Sequence, residues 1–525
     1  MFAQRSPIVI IQNVVSAIFG YVGLFFVLRY IGATDWGFVA FGIGFVGILS
    51  LAGDLGFSTA HTIKVSNGED IGLLNGTFLA IKLGLGLVFV ALVIGSLEVW
   101  TLVLHRGFNN PIEYWIVLSL IPYFFFQNFS GFTNTYFRAT LKSMRASIPP
   151  LVEAILRNSI FIVLAIVIHF STGTLPDYRE ALYVSFTYSV TYTVYFIISV
   201  YMGRPWKISR PTRSMAKSYT LLALPLMLVA SVGTISANID KVFIQFFWQA
   251  DATGAFFTGQ QISAVVTTMA SSLSMFFLPL LVRYKNIDGK LAHNRSIFEF
   301  ENMMSLYLLP FVVALIVLAP YVMNIFTAGY VIYSSMLSLL ALRAYLAAIN
   351  TPYSSAIASR SKTKTIAKID SFMVILNIVL IAIFVPPSIG GFTLFSLGWI
   401  GAPLAMVIVA VLSTFVYRIV VARMESVKYN LSIFRHLIPA FAQALLILAV
   451  EHFVVPRDIF LLGPLILASF GVYFAVAIAM KETSISLLAE IVRNFNPRNL
   501  ARRYKEEGVE TEEDIAEMTS SKKDY

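Results

Sequence analysis

Long uncharged apolar runs, separated by short polar breaks, fill most of the chain. A helix needs about 20 apolar residues to cross the hydrocarbon core of a bilayer, and about fourteen runs approach that length. The runs span residues 8–30, 37–59, 77–104, 112–136, 149–170, 183–202, 218–247, 252–280, 297–318, 331–350, 369–385, 397–421, 436–455 and 457–480. The pattern predicts an all-α polytopic membrane protein with about 14 transmembrane helices.

Composition agrees with this prediction. Hydrophobic residues make up 58% of the 525 residues, charged residues only 13%, and the mean hydropathy is +0.78. A soluble domain has about 45–50% apolar and about 25% charged residues, so little of this chain remains for a soluble domain. The first run is too long for a removable signal peptide and lacks a small-residue cleavage site, so we expect it to be retained. The absence of cysteine excludes disulfides and thiolate metal sites.

The Lys and Arg residues are distributed unevenly between the two sides of the predicted membrane. If the N-terminus is cytoplasmic, 30 Lys and Arg residues fall on the cytoplasmic side and about four on the other. Such an asymmetry predicts a multi-pass protein of the cell membrane with both termini in the cytoplasm. The net charge of +10 is therefore topological, with membrane lipids as its neighbours and no nucleic acid as a partner.

The spacing of the runs contains a repeat. A single shift along the chain, which we call the repeat shift, moves position 8 to position 225 and brings the first six span starts close to the next six. Six spans per half is an even number, so both halves enter the membrane in the same direction and should enclose a cavity about a pseudo-twofold axis. The predicted units are an N-terminal six-helix bundle (1–202), a basic cytoplasmic linker (203–217), a C-terminal six-helix bundle (218–421), two additional helices (436–480) and a cytoplasmic tail (481–525). The tail opens with an amphipathic stretch, 485–495, that predicts an interfacial helix.

Ionisable residues within spans are costly and usually functional. Three cations, Arg343, Arg157 and Lys82, are predicted to lie at inner-half to mid-membrane depth. Each would cost at least about 2.5 kcal/mol if it faced lipid, so we expect them to line the cavity. A cationic cavity suits a phosphate or pyrophosphate group. Two alternatives stay open, since Arg157 has a carboxylate one turn away and Lys82 is near enough to the inner interface to snorkel.

Four further charged residues are candidates for gating or ion coupling: Asp240, Lys241, Asp54 and Glu153. Glu153 lies four residues before Arg157 and is able to neutralise it. Asp240 and Lys241 are adjacent and point about 100° apart on a helix, so we expect one of them to face the cavity. Asp54 is equally placed to end or cap a helix at the inner face.

Motifs for active chemistry are missing. The chain has no phosphate-binding loop, no HExxH, no GxSxG and no CxxC, and its six histidines lack ligand spacing. We therefore predict that it is not an enzyme, has no catalytic residues, holds no metal and uses no cofactor. Any energy input would come from an H⁺ or Na⁺ gradient or from the membrane potential.

Two segments carry a family resemblance. Residues 30–37 (YIGATDWG) and 51–60 (LAGDLGFSTA) resemble the start of Wzx-type polysaccharide flippases of the MOP (multidrug/oligosaccharidyl-lipid/polysaccharide) exporter superfamily. Residues 238–244 (NIDKVFI) and 254–257 (GAFF) are similar to the second-half counterpart in that family.

The resemblance implies a transporter that moves a polyprenyl-(pyro)phosphate-linked oligosaccharide across the membrane for surface polysaccharide or glycoprotein assembly. It also implies alternating access, a lipid-linked glycan as substrate and glycan polymerase or glycosyltransferase machinery as partners. Under this interpretation Arg343, Arg157 and Lys82 contact the headgroup. The alternatives are a lipid II-type flippase and a MATE-like cation-coupled drug exporter; the latter usually has twelve spans and takes cationic drugs.

Overall fold

The computed structural model is almost entirely helical. It describes residues 6–67, 69–103, 108, 110–139, 143–171, 178–204, 206–274, 277, 281, 289–360, 362–389, 391–425, 430–453 and 459–484. The predicted interfacial helix at 485–495 lies outside the described residues.

Seventeen α-helices are described. The first half contains α1 (Ser6–Phe26), α2 (Ala33–Leu49), α3 (Phe57–Ser66), α4 (Ile71–Glu98), α5 (Ile112–Ala139), α6 (Ser143–Ser171) and α7 (Arg179–Met202). The second half contains α8 (Arg213–Ser236), α9 (Ile239–Phe247), α10 (Ala250–Ser274), α11 (Gly289–Val317), α12 (Ala319–Phe326), α13 (Ser334–Ser359), α14 (Thr363–Phe384) and α15 (Gly401–Glu425). Helices α16 (Leu437–Phe453) and α17 (Ile459–Ala479) follow. Short π turns (Val27–Ile31, Val99–Val103) and 3₁₀ turns (Ser50–Gly53, Ala328–Tyr333, Gly398–Ile400, Ser432–His436) extend several of them.

The two strands, β1 (Ser388–Ile389) and β2 (Phe392–Thr393), form a small antiparallel hairpin between α14 and α15. Ser388 pairs with Thr393 in it, and Ile389 pairs with Phe392.

Twelve helical segments of the described part are long and apolar enough to cross a membrane. The predicted spans that fall short of this criterion are the seventh, formed by α8 and α9, and the eighth, formed by α10. Helix α10 carries Thr253, Thr258, Gln260, Gln261 and Ser263 within about three turns, which lowers its hydropathy. These polar side chains lie on a helix that contacts α2 in the first half and α9 and α13 in the second, so neighbouring helices cover much of its surface.

Two spans are interrupted. The second span ends its regular helix at the 3₁₀ turn, and Leu55 and Gly56 then take positive φ angles of 45° and 79° before α3 begins. The seventh span unwinds at Ala237 and Asn238, between α8 and α9. Asn238 fits there because α2 presents Gly47, where a Cβ would lie 2.7 Å from the Asn238 Oδ1 atom.

The two halves repeat one another in sequence order. Helices α2, α4 and α6 begin at residues 33, 71 and 143, whereas α10, α11 and α14 begin at residues 250, 289 and 363, so the three helices are displaced by nearly the same amount. Within each half the helices pack mainly on one another, as α1 does on α6 and α13 on α15. The connection between α7 and α8 is rich in Lys and Arg, and we call the end of the bundle that holds it the basic end.

The halves meet at the opposite end in a reciprocal contact. A Cβ on Gly37 would lie 1.9 Å from the carbonyl oxygen of Ala250, and a Cβ on Gly254 would lie 3.0 Å from that of Ala33. The repeat shift takes Ala33 to Ala250 and Gly37 to Gly254, so equivalent residues exchange contacts across the axis. This geometry is expected of a pseudo-twofold axis.

Helices α16 and α17 pack on the second half through α11. Gln443 of α16 donates from Nε2 to the carbonyl oxygen of Pro310 at 2.9 Å, and Tyr321 donates to Glu451 at 2.6 Å. His436 Nδ1 lies 2.9 Å from Ser305 Oγ. Polar contacts therefore fix α16 to the second half at several depths.

Candidate functional site

Among the cavities lined by described residues are two of several hundred cubic ångströms, and the larger of this pair lies within the second half. Its volume is about 690 Å³, and helices α8, α10, α13, α14 and α15 line it. The polar lining residues are Ser236, Gln260, Arg343, Asn350, Thr351, Ser354, Ser355, Asp370, Asn377, Ser413 and Tyr417. Hydroxyl and amide groups therefore alternate with apolar side chains along a depth at which a membrane helix facing lipid would be apolar.

Arg343 provides the cation of this cavity. It lies 16 residues before Ser359, the last residue of α13, which corresponds to about 24 Å from the basic end. Its side chain is exposed to the cavity, and it forms no ion pair with the described residues. The Asp240 carboxylate acts on Arg343 by its charge, without an ion pair, so the guanidinium keeps its donors to bind an anion with two parallel hydrogen bonds.

Asp370 provides a carboxylate in the same cavity. It lies seven residues into α14, about 10 Å from the basic end, and is exposed to the cavity. Tyr417 of α15 donates its hydroxyl proton to Asp370 Oδ1 at 2.7 Å. No Lys or Arg of the described part of the chain forms an ion pair with this carboxylate.

The smaller cavity, of about 480 Å³, lies between the halves. Helices α1, α2, α6 and α7 of the first half and α10 of the second half line it, and Arg157 is one of its lining residues. Arg157 donates from Nε to Glu153 Oε1 at 2.7 Å, and the guanidinium carbon lies 5.0 Å from the ring centre of Tyr188. Thr191 adds a hydrogen bond to Glu153 at 3.3 Å. Arg157 therefore lines the cavity as one member of an ion pair that has no net charge.

Lys82 and Asp54 form an ion pair at the break in the second span. Lys82 is buried and donates to Asp54 and to the carbonyl oxygen of Gly53, the latter at 3.2 Å. Ser58 also donates to the Asp54 carboxylate. Lys82 is not among the residues that line either cavity. The pair ties α4 to the start of α3.

Asp240 and Lys241 open α9, directly after the break in the seventh span. Asp240 is fully buried, and Gln260 Nε2, from a residue that lines the larger cavity, lies 3.5 Å from its Oδ2 atom. Its Oδ1 atom has no hydrogen-bond partner among the described residues. Lys241 turns away and donates to the carbonyl oxygen of Ala237 at 2.8 Å, which satisfies a carbonyl near the end of α8.

Sequence reasoning missed several residues of the larger cavity. Asn350 and Asn377 are more than nine-tenths buried, and the Oδ1 atom of each lacks a partner among the described residues. Asp370 lies at the start of a predicted span beside a basic connection, where a carboxylate looks like an interface residue. The available signal was the amide and hydroxyl spacing on α13, where Asn350, Thr351, Ser354 and Ser355 recur on one face.

The described residues contain no group of three or more His, Cys, Asp or Glu side chains that could hold a metal ion.

A family model described as "Polysaccharide biosynthesis protein" matches residues 3–285, more than half of the chain. A search of curated protein sequences finds no significant match.

Solved structures share the fold. A lipid II flippase, MurJ, in an inward-closed conformation aligns with a TM-score of 0.70 at 17% identity, over 90% of this chain and 98% of the other. An inward-facing multidrug resistance MATE family transporter of the MOP superfamily aligns with a TM-score of 0.59 at 16% identity, over 80% of this chain and 100% of the other. A MOP superfamily transporter from Pyrococcus furiosus, described as having a binding pocket of reverse polarity, gives 0.52 at 17% identity, over 80% and 95%. These likenesses show the all-α fold predicted from the sequence.

Proposed function

The chain belongs to the polysaccharide biosynthesis protein family, and on that basis we propose that it is a flippase for a polyprenyl-(pyro)phosphate-linked oligosaccharide. The transport would proceed by alternating access, with the two halves separating in turn at each end of the bundle. The reciprocal contact of Ala33 and Gly37 with Ala250 and Gly254 is the closure at the end opposite the basic one.

The main support for this proposal is the position of Arg343. Its exposed guanidinium lies in a polar cavity of about 690 Å³, deep within a membrane-spanning bundle. A free cation at this depth is costly unless an anion occupies the cavity during the transport cycle. A pyrophosphate offers the oxygens for a bidentate contact, while the attached sugars use the hydroxyl and amide groups nearby.

Arg157 and Lys82 have secondary roles in this proposal. Arg157 contacts the headgroup from the smaller cavity as the halves rearrange, because its pair with Glu153 lies at the boundary between them. Lys82 acts through Asp54, at the break of the second span.

Asp240 is our candidate for coupling to an H⁺ or Na⁺ gradient. Its buried carboxylate has an unpartnered oxygen, and its neighbour Lys241 holds the broken end of α8. The charge distribution supports cytoplasmic termini in the cell membrane, and glycan polymerases or glycosyltransferases are the partners that such a substrate implies.

The second candidate is a lipid II-type flippase. The alignment with the lipid II flippase covers 90% of this chain, whereas those with the multidrug transporters cover 80–81%. The difference is about the length of α16 and α17. The larger cavity offers an organic cation one carboxylate, Asp370, whereas Arg343, about 14 Å deeper, would repel it, so a drug exporter is less favoured.

The test is translocation of a labelled polyprenyl-pyrophosphate oligosaccharide in proteoliposomes. We expect Arg343→Ala to lower the initial rate by about 10- to 100-fold, since a charge-assisted contact contributes about 1.5–3 kcal/mol. Arg295→Ala is the matched control, because that arginine is 82% exposed and pairs only with Glu299 on its own helix. Export of an organic cation, with no movement of any lipid-linked glycan, would assign the chain to drug efflux instead.

A further inference from the structure

The larger cavity separates positive from negative charge along its length. Arg343 lies about 24 Å from the basic end and Asp370 about 10 Å from it, so they are about 14 Å apart in depth. The lining between these depths is uncharged, and it includes Asn350, Ser413 and Tyr417. A ligand that places its phosphates at Arg343 and extends toward the basic end must pass Asp370.

The Asp370 carboxylate forms no ion pair with any residue that the structure describes. Its only hydrogen-bond partner among the described residues is the Tyr417 hydroxyl, which leaves further acceptor positions directed at the cavity. The position equivalent to Asp370 in the first half is Glu153, because the repeat shift takes Glu153 to Asp370, and that carboxylate is neutralised. Glu153 has Arg157 one turn later, whereas Asp370 has Val374 at that spacing.

We propose that Asp370 is a specificity-determining residue that restricts the transported glycan to one without a carboxylate on the second and third sugars from the pyrophosphate, which reach about 14 Å from Arg343. The inference rests on the proposed function, because it assumes phosphates at Arg343. The carboxylate accepts hydrogen bonds from the hydroxyl groups of neutral sugars or pairs with the ammonium group of an amino sugar. A uronic acid at the same place would set two carboxylates against each other in a partly desolvated cavity, and like charges in such an arrangement repel strongly.

The experiment compares two substrates that differ only in whether two of their sugars carry carboxylates. The full-length protein is reconstituted in proteoliposomes with undecaprenyl-pyrophosphate trisaccharides whose second and third sugars are either glucose or glucuronic acid. We expect the parent protein to move the neutral trisaccharide at least about tenfold faster, because the like-charge contact is made only by the acidic one. Asp370→Asn should raise the rate for the acidic trisaccharide and bring the two rates within about threefold of each other.

A second variant tests the same idea without removing Asp370. Val374→Arg recreates the spacing of Glu153 and Arg157 on α14 and should neutralise the carboxylate. We expect it to admit the acidic trisaccharide as well. Glu299→Gln is the control, because this exposed carboxylate at the basic end is outside both cavities and should leave both rates unchanged.

The outcomes separate the two proposals. Equal rates for both trisaccharides in the parent protein, or an unchanged preference in Asp370→Asn and Val374→Arg, would overturn the role of Asp370 while leaving the flippase intact. An equal fall of both rates in Asp370→Asn, with the residual transport no longer dependent on an H⁺ or Na⁺ gradient, would assign Asp370 to coupling instead. A parent protein that moves neither trisaccharide would contradict the proposed function itself.

Discussion

The two halves of the bundle share a helical order and differ in the chemistry that they place inside. In the first half the intramembrane carboxylate Glu153 is buried and is neutralised by Arg157. In the second half the carboxylate Asp370 and the cation Arg343 are separate, and both are exposed to one cavity. The first-half equivalent of Arg343 under the repeat shift is Phe126, which stacks on a ring of α7.

The difference between the halves matters for the proposed function. An ion pair with satisfied hydrogen bonds holds helices together but offers little free charge to a ligand. Separate charges in a cavity cost stability unless a ligand neutralises them, which is the property that a binding site needs. Under the proposed function, the second half is the main binding half, because its charges are open to a cavity.

The largest expected effect is a difference in stability between two variants, each of which lacks one carboxylate of one half. Glu153→Ala leaves Arg157 partly buried without its partner, and we expect the free energy of unfolding to fall by about 3 kcal/mol. Asp370→Ala removes one hydrogen bond from Tyr417 in an open cavity and should cost about 1 kcal/mol. Unfolding of the purified variants in a denaturing detergent titration measures both.

A double variant sharpens this result. Glu153→Met combined with Arg157→Met should recover most of the lost stability, because replacement of both members of a buried pair by apolar residues of similar volume is often close to neutral. If Glu153→Ala alone is as stable as Asp370→Ala, the pair does not hold the first half together and the comparison of the halves fails.

One added methyl group should weaken the contact between the halves. Gly37→Ala would place a Cβ 1.9 Å from the carbonyl oxygen of Ala250, so the two helices must separate at the end opposite the basic one. We expect a loss of about 2 kcal/mol, within the usual cost of overpacking. The chain has no cysteine, so cross-linking between Thr34→Cys and Asp251→Cys can follow the separation, and Gly37→Ala should slow it.

Gly84→Ala is the matched control for this test. No atom lies within 4 Å of the Cβ position at Gly84, and alanine favours a helix over glycine by about 1 kcal/mol. We expect unchanged cross-linking and equal or higher stability. A similar loss in both variants would mean that the effect at Gly37 is not a closure of the two halves.

Much of the fold could be predicted from the sequence, because consecutive apolar residues are enough to identify a membrane-spanning helix. The second-half helix α10 begins within two residues of the predicted span start at 252, and the repeat shift recurs in the reciprocal contact that Gly37 makes with Ala250. The break in the seventh span was not predicted, since Ala237 and Asn238 are not strong helix breakers. It depends on the close approach of Gly47 from α2.

The candidate site was less predictable because ion pairs join distant positions. The depth of Lys82 follows from its position in the sequence, but its partner Asp54 lies on another helical segment and is brought to it only by the fold. Glu153 and Arg157, four residues apart, could be recognised as a candidate pair in the sequence. Asp370 looks like an interface residue until α13 and α15 enclose it, so its place in the cavity required the structure.

The smallest expected effect concerns the hydrogen bond across the pseudo-twofold axis. Thr34 donates to Asp251 at 2.6 Å, and the repeat shift takes Thr34 to Asp251, so the bond joins equivalent positions of the two halves. Thr34→Val removes the donor, and we expect the free energy of unfolding to fall by about 1 kcal/mol and the halves to open faster at that end.

Thr220→Val is the control, because Thr220 is exposed and donates to the carbonyl oxygen of Ala216 in its own helix at 3.0 Å. Cysteine accessibility at Ala250→Cys, a buried position of the same contact, to a membrane-impermeant thiol reagent should rise in Thr34→Val and not in Thr220→Val. Equal accessibility in the two variants would show that Asp251 does not help to close the halves, and the closure would then rest on the glycine contacts alone.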